Sequence, residues 1–369
     1  MMTNTRIKRA KIHWCEEEIK AATEVIKSGR YVKGPNVKAF EQEFANFVGA
    51  KYGVAVNNGT AALIAAMLAA GIKHGDEVIT TAHTFMATGN AILLAGGKPI
   101  FADIEDDSMN IDPAQIKKAV TPKTKAIMPV HLYGQSADMD PILEIADEKN
   151  LIVIEDAAQA HGAKYKEDNC GTFGDFGCFS FYPTKNMTVC GDGGMIVTDK
   201  PELHEKAIMY RDAGRKEGDI ERTYVAGYNF RLSEIHAAIG RVQLRHVAAW
   251  NEERRQIATW YDNYLADIKQ ITIPEEMEYA YHIYHLYSAR AQRRDQLLKF
   301  LEQNGVEAGT HYPIPMHLQE TFKHLGYRRG DFPKAEKAAG EQISLPIYPG
   351  LKENDIEFVA EQVKKFYKK

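Results

Sequence analysis

From about residue 50 to 200, short apolar runs alternate with segments whose apolar positions recur at helical spacing. YGVAV (52–56) leads into a helix starting near Gly59, and EVITT (77–81) into one starting near Thr84. KPIFADI (98–104) precedes the pattern DPAQIKKAV, and KAIMPVHL (125–132) precedes DPILEIADEKN. LIVIED (151–156), FGCFSF (176–181) and GGMIVT (193–198) follow. Several of these runs are apolar throughout, as strands covered on both faces must be. The alternation therefore predicts an α/β fold, a mainly parallel central sheet with helices on both faces. In such sheets functional groups gather at the carboxyl ends of the strands.

The pattern then changes. Ser233 to Leu265 is a long, charged, helix-compatible stretch with no proline and no late glycine. It is expected to lead out of a large domain, residues 1–245, into a smaller C-terminal α+β domain, residues 246–369. That second domain is predicted to hold a strand YHIYHLYSAR (281–290), a helix RDQLLKFLEQNG (294–305) and a final helix from about Asn354. The amino-terminal helical pattern, Cys15 to Lys27, is expected to pack near it.

Composition narrows the class. The chain has 369 residues, 44% hydrophobic and 26% charged, with a net charge of -4. Lysines and acids are interspersed, so the charges read as a solvated surface and not as a nucleic-acid footprint. The four cysteines, Cys15, Cys170, Cys178 and Cys190, show no CxxC spacing. That argues against zinc and for a reducing compartment. No apolar leader follows the initial methionine, and the most apolar helix candidate, Leu63 to Ile72, is too short to span a bilayer. The expected place is the cytoplasm, with no membrane partner.

Candidate chemistry centres on one segment. LIVIED delivers Glu155 and Asp156 to a strand end, and FGCFSF leads past Ser180 to Lys185. A carboxylate and a lysine at neighbouring strand ends suit pyridoxal 5'-phosphate (PLP), which needs a lysine for its aldehyde and an acid for its ring nitrogen. Alone, Asp156 reads as a strand-end acid capping the following helix, and Lys185 as one surface lysine among many. The place of Lys185 raises it: it follows an apolar strand and Pro183 and precedes the glycine-rich GDGG (191–194). Gln159 sits one turn beyond Asp156. Gly59 and Thr60, in VAVNNGTAAL, would open a helix whose N–H groups suit a phosphate, and Ser180 could join them. Phe85 could stack on a ring or simply fill the core. His83 and His161 are candidates to line the site. Asn229 and Arg231 in GYNFRLSEIHAAIGRVQL would suit an anion, and HYPIPMHLQ (311–319) places Tyr312 and His317 on a stiff loop.

Taken together these motifs resemble the DegT/DnrJ/EryC1/StrS family of PLP-dependent sugar aminotransferases, of aspartate-aminotransferase fold type I. The resemblance runs from SGRYVKGPNVKAFEQEFA (28–45) to SLPIYPGL (344–351), nearly the whole chain. It implies Lys185 as the Schiff-base lysine, Asp156 at the pyridine nitrogen and Gln159 near the ring oxygen. It implies Gly59, Thr60 and Ser180 at the phosphate, Phe85 over the ring, and Asn229 reaching the phosphate of a partner subunit. A homodimer with shared sites follows from the last of these. His83, His161, Tyr312 and His317 fall where the family's sugar pocket lies. Some relatives carry histidine in place of the lysine and dehydrate; Lys185 argues against that here. The expected activity is transfer of an amino group from glutamate, through PLP and pyridoxamine 5'-phosphate, to C3 or C4 of a nucleotide-linked keto sugar. The alternatives are an aminotransferase for a small cyclic ketone, such as an inosose or an aminobenzoate precursor, and a non-enzymatic regulator on the same scaffold.

Overall fold

The computed structural model describes residues 7–368. Residues 1–6, on which part of the no-leader expectation rests, lie outside the described residues. Two helices come first, α1 (Glu16–Ser28) and α2 (Pro35–Val48). Then β1 (Tyr52–Val56), α3 (Gly59–Ala69), β2 (Glu77–Thr81), α4 (Met86–Leu94), β3 (Lys98–Ala102), α5 (Pro113–Ala119) and β4 (Thr124–Met128) alternate as the apolar runs require. They are followed by α6 (Met139–Lys149), β5 (Ile152–Asp156), the short β6 (Lys164–Tyr165) and β7 (Asp168–Asn169), β8 (Phe176–Ser180) and β9 (Gly194–Thr198).

Seven strands form the central sheet in the order β1-β9-β8-β5-β4-β2-β3. The run from β8 to β3 is parallel, and β9 is antiparallel to both β1 and β8. β5 pairs with β8 so that Asp156 stands opposite Cys178, two residues before Ser180. Helix α3, GTAALIAAMLA, is apolar on all sides because it is buried on all sides, packed against β8 and β9 and between α4 and α7 (Pro201–Arg211). Its N-cap is Asn58, whose side-chain oxygen accepts from Ala61 N–H at 2.7 Å.

The stretch read as one helix-compatible run is two helices, α8 (Glu234–Leu244) and α9 (Val247–Leu265), broken at Arg245–His246. The break redirects the chain: α8 packs on α1 and α2, whereas α9 packs on α12 (Glu353–Lys368). Helix α1 therefore does not join the C-terminal unit as expected. Gln243 of α8 holds it, donating to the His13 carbonyl at 2.9 Å and to the Glu18 carboxylate. The residues before α1 do join that unit, because Ile7 bridges to Val306 and sits in its core.

That unit contains β10 (Ile271–Thr272), β11 (Ala280–Tyr281), β12 (Tyr287–Ala291), α10 (Arg294–Gln303), α11 (Pro333–Glu341) and β13 (Gln342–Leu345). An antiparallel sheet β10-β12-β13 packs beneath α9, α10 and α12 around Tyr261, Tyr287, Leu297, Leu301 and Val359. The predicted strand 281–290 is shorter than its alternation suggested. The Ile283 and Leu286 N–H groups donate instead to the Gly134 and Tyr133 carbonyls, so residues 282–286 cross to the loop that follows β4 in the large sheet. Among the described residues no helix is long and apolar enough to cross a membrane.

Candidate active site

Two consecutive acids end β5, and strand alternation sends them to opposite faces. Glu155 is completely buried and satisfied: it accepts from the N–H groups of Gly171, Phe173 and Gly174 at 2.6–2.8 Å and pairs with His131 at 2.8 Å. It fixes a turn. Asp156 faces the other way, into a cavity of about 730 Å3. There Thr88 Oγ1 donates to Oδ2 at 2.8 Å and Ala158 N–H to Oδ1 at 3.2 Å. Burial pushes the Asp156 carboxyl up from its ordinary value, against the opposing pull of Thr88, Ala158 and the positive charge of Lys185.

Lys185 lies on the loop joining β8 to β9 and lines the same cavity. Part of its side chain meets the cavity's solvent, yet enough protein surrounds the amine to lower its pKa to about 8; Asp156 offsets a little of that loss. Among the described residues Nζ makes no ion pair.

The same cavity holds a cradle. Gly59 and Thr60 open α3, where first-turn N–H groups have no intrahelical acceptor and the helix dipole favours an anion. Ser180 closes the cradle so tightly that a Cβ on Gly59 would stand 2.7 Å from the serine Cβ. Gly194 of β9 is equally constrained: a Cβ there would come within 2.5 Å of the Asn58 carbonyl.

Above this floor, Phe85 is the N-cap of α4, and its ring, 46% exposed, stands 5.5 Å from the Tyr312 ring. Gln159 bridges the layers. Its oxygen accepts from Tyr133 N–H at 2.7 Å and its nitrogen donates to Tyr312 Oη at 3.0 Å. Gly59, Thr60, Phe85, Asp156, Gln159, Ser180, Lys185 and Tyr312 thus share one cavity.

The three candidate histidines do not line it. His83 is fully buried behind Tyr133, with Nε2 2.8 Å from the phenol oxygen, and burial lowers its pKa to about 4. His161 packs among Phe44, Phe179 and Phe181, and burial followed by the charge of Lys185 lowers it to about 3. Both its ring nitrogens lack a protein partner among the described residues. His317 is buried against Phe332 and Glu336. Asn229 is exposed and lies outside this chain's cavity, its backbone bridging to Asp212.

Other cavity residues were not singled out from sequence: Arg9, Tyr182, Asp192, His285 and His311. His311 neighbours the quoted Tyr312, and Thr88 lies one helical turn beyond Thr84, whose hydroxyl it meets at 3.0 Å. Those spacings were available signals. Arg9 carried none. A second hollow of about 700 Å3, between α1, α2 and α8, contains none of these groups.

An amine with a lowered pKa, a buried carboxylate and a helix N-terminus lining one cavity are the features of the class of enzymes that hold PLP on a lysine. The profile of the DegT/DnrJ/EryC1/StrS aminotransferase family matches residues 13–364, and the chain belongs to that family. It is a PLP-dependent aminotransferase. A pleiotropic regulatory protein of Geobacillus stearothermophilus is 46% identical over 95% of both chains. The dTDP-3-amino-3,4,6-trideoxy-alpha-D-glucose transaminase of Streptomyces venezuelae is 40% identical, over 91% of this chain and 89% of that one. The crystal structure of S. venezuelae DesV with a ketimine intermediate superposes with a TM-score of 0.93 at 38% identity, covering 96% of this chain and 95% of that one. Solved structures similar to this chain include PLP and pyridoxamine-phosphate forms.

Proposed function

We propose that this protein transfers an amino group from glutamate to a keto carbon, C3 or C4, of a nucleotide-linked deoxysugar, giving an amino sugar for glycan or antibiotic-sugar biosynthesis. The observation that carries the reading is Lys185, an amine lowered to about 8 at the wall of a cavity that holds an anion cradle. Relatives named for dTDP-, UDP- and GDP-linked amino sugars supply the substrate class.

PLP bound here supplies an electron sink for the carbon that gains or loses the amine. The chain's residues do the rest. Gly59, Thr60 and Ser180 bind the phosphate. Asp156 would face the ring nitrogen, whose positive charge would offset part of the burial that raises the carboxyl. Gln159 orients the ring oxygen and Phe85 covers the ring. Lys185 Nζ would hold the cofactor and, once free, would serve as the base that carries the proton at the reacting carbon. Tyr312 lies against Phe85 on the substrate side, whereas His83, His161 and His317 act from behind by fixing Tyr133, the aromatic wall and the 311–319 loop.

The enzyme works as a homodimer in the cytoplasm. Phe85, Met86, Tyr182 and Tyr228 are large and exposed, which suits a face covered by a second copy, with Asn229 reaching the partner's phosphate. Cys15 and Cys190 are exposed free thiols, in keeping with a reducing compartment.

The test is a panel of nucleotide-linked 3-keto and 4-keto 6-deoxysugars with glutamate, read as 2-oxoglutarate released. Lys185→Ala should lose turnover and the yellow absorption together. Turnover of an inosose alone would overturn the nucleotide-sugar assignment. The regulatory names of two relatives support a second reading, a non-enzymatic regulator on the same scaffold; a wild-type protein that glutamate does not bleach would favour it.

A further inference from the structure

The segment before α1 brings a cation to the cavity that no role above uses. Arg9 lines the wall beside His311 and Lys185. It is half-buried and makes no ion pair or side-chain hydrogen bond among the described residues. Every other buried or half-buried arginine described has a carboxylate or carbonyl partner. A guanidinium partly stripped of water with no counter-charge is unfavourable on its own and suited to receiving an anion.

The backbone fixes where that charge sits. Ile7 bridges to Val306, Glu307 N–H donates to the Ile7 carbonyl at 2.9 Å, and Ile347 N–H donates to the Arg9 carbonyl at 3.3 Å. The guanidinium lies against the bare Cα of Gly309, where a Cβ would come 2.4 Å from Nη1. His311 is held by Ser344 Oγ at 2.9 Å, and burial, then the charges of Arg9 and Lys185, keep it neutral near pH 7. A neutral imidazole next to the arginine adds polarity without adding charge.

We infer that Arg9, seated on Gly309 beside His311, is the oxyanion anchor of the substrate side of the cavity. This rests on the aminotransferase reading, and it names what the cavity recognises: a carboxylate of the amino donor or a phosphate oxygen of the nucleotide-linked acceptor. Both present paired oxygens that match the planar fork of the guanidinium.

Arg9→Gln and Arg9→Lys separate the two sources. L-Glutamate is scored by the concentration dependence of bleaching of the cofactor-loaded enzyme. The nucleotide diphosphates dTDP, UDP and GDP are scored by calorimetric binding to the cofactor-free protein. Arg9→Gln should weaken at least one ligand about 10- to 100-fold, the loss of one charge-assisted contact, and Arg9→Lys should recover part of it. Weaker glutamate alone assigns the carboxylate, and weaker nucleotide alone assigns the diphosphate. Unchanged visible absorption of the loaded variants confirms that the cofactor site is intact. If neither ligand changes by more than about twofold, the ordinary scatter of a surface substitution, the anchor is refuted. A wild type that glutamate fails to bleach would refute the aminotransferase reading instead.

Discussion

The neutral form of Lys185 is the one that can attack an aldehyde, and its pKa near 8 sets when that form is present. Below that pH the neutral fraction falls about tenfold per unit. Uptake of PLP by cofactor-free protein should therefore accelerate with pH up to about 8 and level off above it. Asp156 opposes the lowering, because its negative charge holds the lysine proton in place. Asp156→Asn should accordingly move the break to lower pH, followed by stopped-flow absorbance; an unmoved break would count against the coupling. Residue roles were unevenly legible in sequence. Lys185, Asp156 and the Gly59–Thr60 turn follow strand ends, and strand ends converge in a parallel sheet. The histidines share the same motifs but face the wrong way. Sequence gives a residue type and a neighbourhood, and His161 shows the limit: its loop turns it into a phenylalanine cluster a short way from Lys185.

Among the elements, the apolar runs of the central sheet were readable to within a few residues because burial on both faces leaves no polar alternative. Residues 281–290 were over-read. Their alternation suits a strand, but the backbone donors of 283 and 286 are taken by a distant loop, and no local pattern reports that. The start of α2 shows the same dependence on distant partners. Its N-cap is a glycine with no side chain to offer, so Glu234 of α8 substitutes. It is 1% exposed and accepts from Gly34, Asn36 and Val37 N–H at 2.8–3.0 Å. Glu234→Ala leaves those donors buried and unpaired and should cost about 2–3 kcal/mol, seen as a lower urea midpoint at constant slope. A loss under about 0.5 kcal/mol, the scale of an unconstrained surface change, would show that the cap contributes little.

For the whole molecule, Asn229 and Lys185 are proposed to serve different copies' sites. Lys185→Ala and Asn229→Ala chains, each deficient alone, should complement when unfolded together and refolded. Random pairing makes half the dimers mixed with one intact site of two, so activity should recover to about a quarter of wild type. No recovery would place Asn229 in its own chain's chemistry or outside it. We likewise propose 1–245 and 246–369 as the two units. The separate core around Tyr261 and Tyr287 supports this, although Met316, Phe322 and Phe332 pack with Phe101 and Leu132 of the sheet side. The boundary is thus laced on one face.

The antiparallel strand β9 closes the account of Lys185 in kinetic terms. Because β9 pairs with β1 on one side and β8 on the other, the lysine loop is tethered at both ends inside the sheet. It cannot peel away without unzipping two ladders. The loop that carries the lysine is thus held as firmly as the two ladders it joins, and local breathing there is coupled to opening of the sheet itself.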